Sequence, residues 1–191
     1  MTIKVVELSE RTWPAFEKLF GPNGAVAGCW CMWFRKTSPE YKRDSGEVNR
    51  QDAVDLAVAG EPVGLLAMDG QEAIGWVAVA PRSVYHRLER SPIAKPADPD
   101  EDLSGIWSVT CFYIHRSARR GGVARRLLDE AVRYAVRHGA WILEAYPVDT
   151  NGVKTSSGEL YHGTLSMFTD AGFTVVDRRG TRRALVRKTV G

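Results

Sequence analysis

The segment from Arg116 to Ala124 combines basic side chains with two adjacent glycines, and it is the part of the sequence best suited to bind an anion. It reads Arg-Ser-Ala-Arg-Arg-Gly-Gly-Val-Ala. Gly121 and Gly122 allow the backbone to approach a ligand closely, and the first amides of a following helix are free donors at the positive end of its dipole. The segment therefore predicts a binding site for a pyrophosphate group.

Positive charge is concentrated around this segment. Residues 111–140 contain seven arginines against one aspartate and one glutamate, which gives the stretch a formal charge of +5. The whole chain carries only +3, from 26 Lys+Arg and 23 Asp+Glu, so the remaining residues sum to −2. Because the overall balance is so close to neutral, it does not indicate a nucleic acid or a membrane as partner.

Two strands and a helix must position the basic segment. Residues 106–115 are rich in β-branched and aromatic side chains, which predicts a strand. Residues 123–138 carry an apolar stripe at helical spacing and are followed by a glycine, which predicts an amphipathic helix. Another strand is expected over 141–148. The order strand, helix, strand predicts a parallel pair joined by a right-handed crossover.

The rest of the chain predicts short elements. The expected elements are a strand over 3–8, a helix that ends at Phe20, a helix capped by Asn49 that ends at Gly60, a hairpin over 63–80, a helix over 164–171 and a hairpin over 175–188. Residues 38–50 predict irregular structure, and residues 81–105, with four prolines and an acidic run, predict a solvated loop outside the sheet. We expect an α+β fold with a mixed, largely antiparallel sheet, one parallel strand pair and flanking helices.

Length and composition predict one folded domain over 1–191. Of the 191 residues 44% are hydrophobic, enough for a core, with a mainly helical N-terminal part over 1–62 and a sheet core over 63–191. An odd number of cysteines, three, favours a reducing compartment. The sequence contains neither a signal-like start nor an apolar run long enough for a membrane span. We expect a cytoplasmic protein.

The pattern Arg119-x-x-Gly122-x-Ala124 resembles the pyrophosphate loop, Arg/Gln-x-x-Gly-x-Gly/Ala, of the GNAT superfamily of acyl-CoA dependent N-acyltransferases. Neither a Walker loop nor a dinucleotide fingerprint is present. The superfamily places this loop after its fourth strand, before a helix and a fifth strand, which is the predicted order here.

Two further segments carry a resemblance. Residues 161–173 are similar to the superfamily signature Asn-x-x-Ala-x-x-Leu-Tyr-x-x-x-Gly-Phe. Gly172 and Phe173 match it, whereas Tyr161 stands in place of the asparagine and Phe168 in place of the tyrosine. Residues 29–35, Cys-Trp-Cys-Met-Trp-Phe-Arg, are similar to an N-terminal segment of an actinobacterial-type subgroup.

The resemblance implies that acetyl-CoA is the acyl donor and an amine of a small molecule or protein the acceptor. Amides of Phe112, Tyr113 and Ile114 would hold the pantetheine arm. The pyrophosphate would be held by the loop residues Arg119, Arg120, Gly121, Gly122, Val123, Ala124 and Arg125. A module that binds acyl-CoA without turnover is the alternative, and a homodimer is left open.

Transfer to an amine requires removal of a proton, because a free alkylammonium has a pKa near 10.4. Glu144 is the first candidate base, ahead of Asp149 and His162. Strand alternation puts Tyr146 on the same face as Glu144. Tyr161 is a candidate acid for the departing thiolate, since Phe168 lacks the hydroxyl that many relatives use.

Three other groups have both a structural and a functional interpretation. Trp30 and Trp33 either pack in the core or line the acceptor pocket. Cys29 and Cys31 lack a second ligand pair at useful spacing, so no metal site is expected; a covalent acyl-cysteine route is a minor alternative. The arginines that flank the last turn either form a solvated tip or bind an anion, either the adenosine phosphate of the cofactor or an acidic acceptor; they are Arg178, Arg179, Arg182 and Arg183.

Overall fold

The computed structural model describes residues 3–44, 46–156 and 158–191. Its strands are β1 (Ile3–Glu7), β2 (Gly64–Asp69), β3 (Glu72–Pro81), β4 (Ile106–Ile114), β5 (Ile142–Ala145), β6 (Thr174–Arg179) and β7 (Arg183–Thr189). Its α-helices are α1 (Trp13–Phe20), α2 (Ser38–Arg43), α3 (Glu47–Val58), α4 (His86–Glu89), α5 (Val123–Arg137) and α6 (Leu165–Thr169). Single turns of 3-10 helix occupy Glu10–Thr12, Arg82–Val84, Arg116–Ala118 and Leu160–His162.

The strands form one sheet in the order β1-β2-β3-β4-β5-β7-β6. Strands β4 and β5 pair in parallel, and α5 makes the crossover between them. The other neighbouring strands in the sheet pair antiparallel. The predicted α+β class, with a largely antiparallel sheet and one parallel pair, is confirmed.

Helix α5 packs closely on one face of the sheet. Its residues Leu127, Leu128 and Ala131 are buried against Val77 of β3 and its neighbours. Contact is close because β3 has a glycine there: a Cβ atom on Gly75 would lie 2.8 Å from the Val123 side chain. This packing fixes the start of α5 at the end of β4, where the basic segment lies.

Helices α1 and α3 cover the opposite face, together with the cysteine-containing segment. Trp76 of β3 points to this side and is fully buried, with the Phe16 ring centroid 4.8 Å away. Trp30 belongs to the same cluster. Helices α1 and α3 and the cysteine-containing segment therefore form a second layer of core on the sheet.

The structure differs from the prediction between residues 37 and 50. Helix α2 occupies part of the stretch expected to be irregular, and it begins at a capping box in which Thr37 and Glu40 bind each other's backbone amides. Helix α3 begins after Gly46, so Asn49 is not its cap. Instead the buried Asn49 amide donates to the carbonyl of Gly28 at 2.9 Å, because the loop before α2 brings that carbonyl over the helix.

The loop predicted over 81–105 is only partly solvated. Its first half packs on the sheet, with Tyr85, Leu88 and Ala94 buried beside β3 and β7. Residues 97–100 are exposed, as expected for an acidic stretch. Among the helices of the described ranges, none is both long and apolar enough to cross a membrane.

Candidate active site

Strands β4 and β5 separate after four pairs. Pairing runs from Ile106 to Val109 on β4, but β4 itself continues to Ile114. The amide of His115 donates to β3, and because amide directions alternate along a strand, those of Phe112 and Ile114 point to the other edge. In the described part of the chain, no strand pairs with that edge beyond Val109. The Tyr113 amide faces β3.

A β-bulge lies where the two strands separate. Ala78 of β3 pairs with Cys111, and Val79 pairs with Val109, so Thr110 is an extra residue in β4. Bulges redirect side chains and end pairing, and they are common next to active sites. This one marks the inner end of the open edge.

Within the described ranges, three buried polar atoms around the bulge make no hydrogen bond of good geometry: Thr110 Oγ1, Tyr85 Oη and His162 Nδ1. The Tyr85 hydroxyl lies near the Thr110 side chain, and His162 lies against the Thr110 backbone. Burial raises the pKa of Tyr85 to about 12, so its hydroxyl keeps its proton. Buried polar groups are almost always satisfied in proteins. A cluster of three unsatisfied ones therefore indicates a place for a polar ligand or water.

His162 is neutral at physiological pH. Burial, together with the positive charge of Arg183, lowers its pKa to about 3, although a hydrogen bond at the Thr110 backbone acts in the opposite direction. Aromatic rings surround the imidazole, with centroids at 4.2 Å for Tyr161 and 5.4 Å for Phe34. The free Nδ1 atom can therefore act as a hydrogen-bond acceptor in a mostly apolar wall.

Glu144 is 1% exposed and lies in a buried ionic cluster. Arg82 pairs with its Oε1, and Arg187 donates to its Oε2 at 3.1 Å. Tyr146 lies on the same side of the strand, as expected, and its hydroxyl donates to Oε1. Because both carboxylate oxygens are engaged by cations, Glu144 is poorly placed to accept a proton from an amine.

The other sequence-derived candidates are engaged by partners of their own. Asp149 pairs with Arg178, which lowers the pKa of the Asp149 carboxyl. Trp30 is buried in the N-terminal core, 6.1 Å from the ring of Trp13. Trp33 is 39% exposed, and the Arg87 guanidinium lies 3.8 Å above its ring. The structure thus brings Tyr146, Tyr161 and His162 together, whereas Asp149, Trp30 and Trp33 contact other residues.

The cysteine-containing segment forms a strained turn. The amide of Met32 donates to the Cys29 carbonyl at 2.8 Å, and the two residues between, Trp30 and Cys31, have φ values of 45° and 60°. The indole N–H of Trp76 donates to the Cys31 sulfur at 2.9 Å, and Cys31 also interacts with Cys111 of β4. Left-handed backbone at bulky residues costs about 1–3 kcal/mol each. The turn thus places the Cys31 thiol against Cys111 of β4, next to the bulge.

The thiols of Cys29 and Cys31 stay protonated. Burial raises the pKa of Cys29 to about 11, and the pKa of Cys31 is raised by its contact with Cys111 and by burial. A thiolate is the nucleophilic and metal-binding form of cysteine. In the described residues no group of three or more His, Cys, Asp or Glu could hold a metal ion.

The basic segment forms a concave site at the outer end of the open edge. A cavity of about 200 Å³ is lined by Ile114, Ala118, Arg119, Arg120, Gly122, Val123, Ala124 and Arg125. Arg120 and Gly122 have φ values of 65° and 76°, which curve the backbone around the cavity. The first amide bonded within α5 is that of Arg126, and no described side chain caps the helix. The preceding amides are therefore free donors. This cradle fits a pyrophosphate.

The chain belongs to the GNAT acetyltransferase family. Residues 26–153 match the family described as "Acetyltransferase (GNAT) family". Membership of the superfamily is confirmed, as is acetyl-CoA as the acyl donor that the family uses. The match ends before residues 161–173, and assignment to the Cys-Trp-Cys subgroup stays a prediction.

Solved structures with the same fold are distant in sequence. They include an N-acetyltransferase from Staphylococcus aureus (11% identity, TM-score 0.58, all of both chains). Others are the PaiA N-acetyltransferase from Thermoplasma acidophilum in complex with coenzyme A (14%, 0.54, 99% of both chains) and a ribosomal-protein-alanine N-acetyltransferase from Brucella melitensis (16%, 0.55, 97% of this chain and 99% of that chain). At these identities the likeness shows the fold. A comparison with curated protein sequences finds no significant match.

Proposed function

We propose that the protein transfers an acyl group, in the first place acetyl, from acyl-CoA to an amine of a small molecule or protein. One arrangement supports this proposal most. The open edge of β4 runs from the polar cluster at Thr110 to the anion cradle at Arg119, and its five residues, Thr110 to Ile114, span about 13 Å between the Cα atoms at the two ends. An acyl-CoA carries its reacting thioester and its pyrophosphate at opposite ends of an extended arm.

Backbone amides would make most of the contacts to acetyl-CoA. Amides of Phe112 and Ile114 are free to pair with the arm, and those of residues 122–125 are free to bind the pyrophosphate. When bound, acetyl-CoA supplies an activated acyl group whose thiol, with a pKa near 8.5, is a tolerable leaving group.

His162 would orient the acceptor amine. Its Nδ1 atom is unpartnered and its imidazole is neutral, so it can accept a hydrogen bond from a neutral amine and direct the nitrogen lone pair. Glu144 remains the competing candidate base, although its ion pairs with Arg82 and Arg187 disfavour proton uptake. Tyr161, whose pKa is raised by burial, keeps its proton at neutral pH and would donate it to the departing thiolate.

A thermal scan with ligands tests the cofactor assignment. Acetyl-CoA should raise the melting temperature, whereas NAD and ATP at the same concentration should raise it much less. Ligand at one hundred times its Kd stabilises the folded state by about 2.7 kcal/mol, which is readily measured. No shift at millimolar acetyl-CoA would contradict the proposal.

Release of CoA in the presence of amines tests turnover. Phe168, where relatives carry a tyrosine, favours the alternative of a module that binds acyl-CoA without turnover. We expect CoA to be released faster with a suitable amine than with buffer alone. Binding of acetyl-CoA without release across a broad amine panel would support the alternative instead.

A further inference from the structure

Arg183 differs from the other three arginines that flank the last turn in having no carboxylate partner. Arg178 pairs with Asp149, Arg179 with Asp177 at 3.1 Å, and Arg182 with Glu159 at 3.5 Å. Within the described ranges, Arg183 has no carboxylate oxygen within 4.0 Å, and its Nη1 donates to the Tyr146 carbonyl at 3.3 Å. Its guanidinium has five N–H donors, so most remain available.

Arg183 lies beside the inner end of the open edge. It is the first residue of β7 and bridges to Val148, just past the end of β5. Its positive charge lowers the pKa values of His162 and Tyr161, so the guanidinium lies close to both side chains. The residue is half-buried, which leaves it accessible while limiting its hydration.

The nearby carboxylates are already paired. Glu144 is held by Arg82 and Arg187, and Asp149 is held by Arg178. Glu159 is close enough to Arg183 to have its own pKa lowered, but its ion pair is with the neighbouring Arg182. A second ammonium on the acceptor would therefore find no free counter-charge here, whereas an anionic group would find Arg183.

We infer that the acceptor amine carries a negatively charged group near the amine, a carboxylate or a phosphonate, and that Arg183 binds this group. The inference rests on the proposed function. A guanidinium matches both groups with two parallel hydrogen bonds, and a partly desolvated cation gains more from such a pair than an exposed one does. A bound anion would also offset the charge that lowers the His162 pKa, so the imidazole would become a better proton acceptor.

Matched amines test the inference with the wild-type protein. At saturating acetyl-CoA, release of CoA is measured for a set of amino acids, for the decarboxylated amine of each, and for the aminophosphonate of the same carbon skeleton. We expect kcat/KM at least tenfold higher for an amine that carries the anionic group than for its decarboxylated counterpart, and the two anionic series identify which anion is preferred. Equal or faster turnover of the decarboxylated amines, or no turnover of any amine that carries an anionic group, would overturn the inference.

Substitutions test whether Arg183 itself, and not a neighbouring arginine, binds the anionic group of the acceptor. Arg183→Gln should raise KM for the best anionic acceptor at least tenfold and leave the Kd for acetyl-CoA within about twofold, with Arg182→Gln as a matched control that changes neither. Arg183→Lys keeps the charge but loses the two parallel hydrogen bonds, so its acceptor KM should lie between those of wild type and Arg183→Gln. It replaces Arg183→Gln as the test if the glutamine variant does not fold. An unchanged acceptor KM in a folded Arg183→Gln variant would refute the role of Arg183.

The two proposals fail in different ways. If wild-type protein does not bind acetyl-CoA in the thermal scan, the proposed function itself is wrong. If it binds acetyl-CoA and acetylates diamines or protein lysines in preference to anionic amines, acyl transfer stands and only the inference about Arg183 falls.

Discussion

Glu144 and Arg187 face each other directly across β5 and β7, and Arg187 donates from Nε to Oε2 of Glu144 at 3.1 Å. Arg187 also binds both carboxylate oxygens of Glu101, at 2.5 and 2.8 Å. The acidic loop is thereby tied to the sheet through one arginine. A carboxylate in such a cluster contributes to the stability of the fold.

Glu144→Gln should lower the free energy of unfolding by about 3 kcal/mol, because it leaves the buried guanidinium of Arg82 without its counter-charge. Urea unfolding measures this change. Glu130→Gln, which removes an exposed pair with Arg133, is the control and should change stability by less than about 1 kcal/mol. If instead the Glu144→Gln variant is as stable as wild type and its pH–rate profile loses an apparent pKa, Glu144 is the base.

Gly122→Asp should weaken acetyl-CoA binding at least tenfold, because it brings a negative charge to the anion cradle. A Cβ atom at this position meets nothing within 4 Å, so the variant has room to fold. Gly122→Asn is the matched control: asparagine is equally large, adopts the required φ of +76° more readily than most residues, and adds no charge. Calorimetry should find a smaller loss for Asn than for Asp. Equal losses would assign the effect to the backbone rather than to charge.

The buried His162 should make stability depend on pH. Its pKa is about 3 in the folded protein against an ordinary value of 6.5, so the unfolded chain binds a proton more readily. Stability is therefore complete above pH 6.5 and falls as the pH is lowered toward 3, by up to about 1.4 kcal/mol per pH unit from this residue. His162→Gln should unfold with a shallower pH dependence between about pH 6.5 and 4.5. Identical slopes in variant and wild type would contradict the burial of a neutral imidazole.

Cys29 should react slowly with iodoacetamide in the folded protein. At pH 8 a thiol with a pKa of about 11 contains far less thiolate than an ordinary cysteine, so we expect a rate at least about tenfold lower. Mass spectrometry of timed samples measures the rate at each site. In urea all three cysteines should react at ordinary rates. Fast modification of the native protein would revive the hypothesis of a cysteine nucleophile.

Location in the cytoplasm, the homodimer and the division of the chain at residue 62 stay predictions. Analytical ultracentrifugation with and without acetyl-CoA addresses the homodimer. The division at residue 62 predicts that 1–62 packs as a dependent layer, because its core includes Trp76 and Ala78 of the sheet.

The sequence by itself determined the features that depend on neighbours along the chain. Helix α5, the glycine turn before it and the parallel pair on either side follow from apolar spacing and from glycine at the helix start. The capping box at Thr37 and Glu40 was also readable locally and would have predicted α2. Such signals act within a few residues, so they can be recognised in the sequence without knowledge of the fold.

Only the tertiary structure decided what the candidate side chains contact. Glu144 has the same local sequence whether it is a free base or an ion-paired residue, and its partners, Arg82 and Arg187, are far from it along the chain. Arg183 differs from Arg178 and Arg182 because the fold brings carboxylates from distant segments, Asp149 and Glu159, to those two arginines and none to Arg183 among the described residues. Burial and charge pairing arise between segments distant in sequence, and these two effects determine the protonation states on which the chemistry depends.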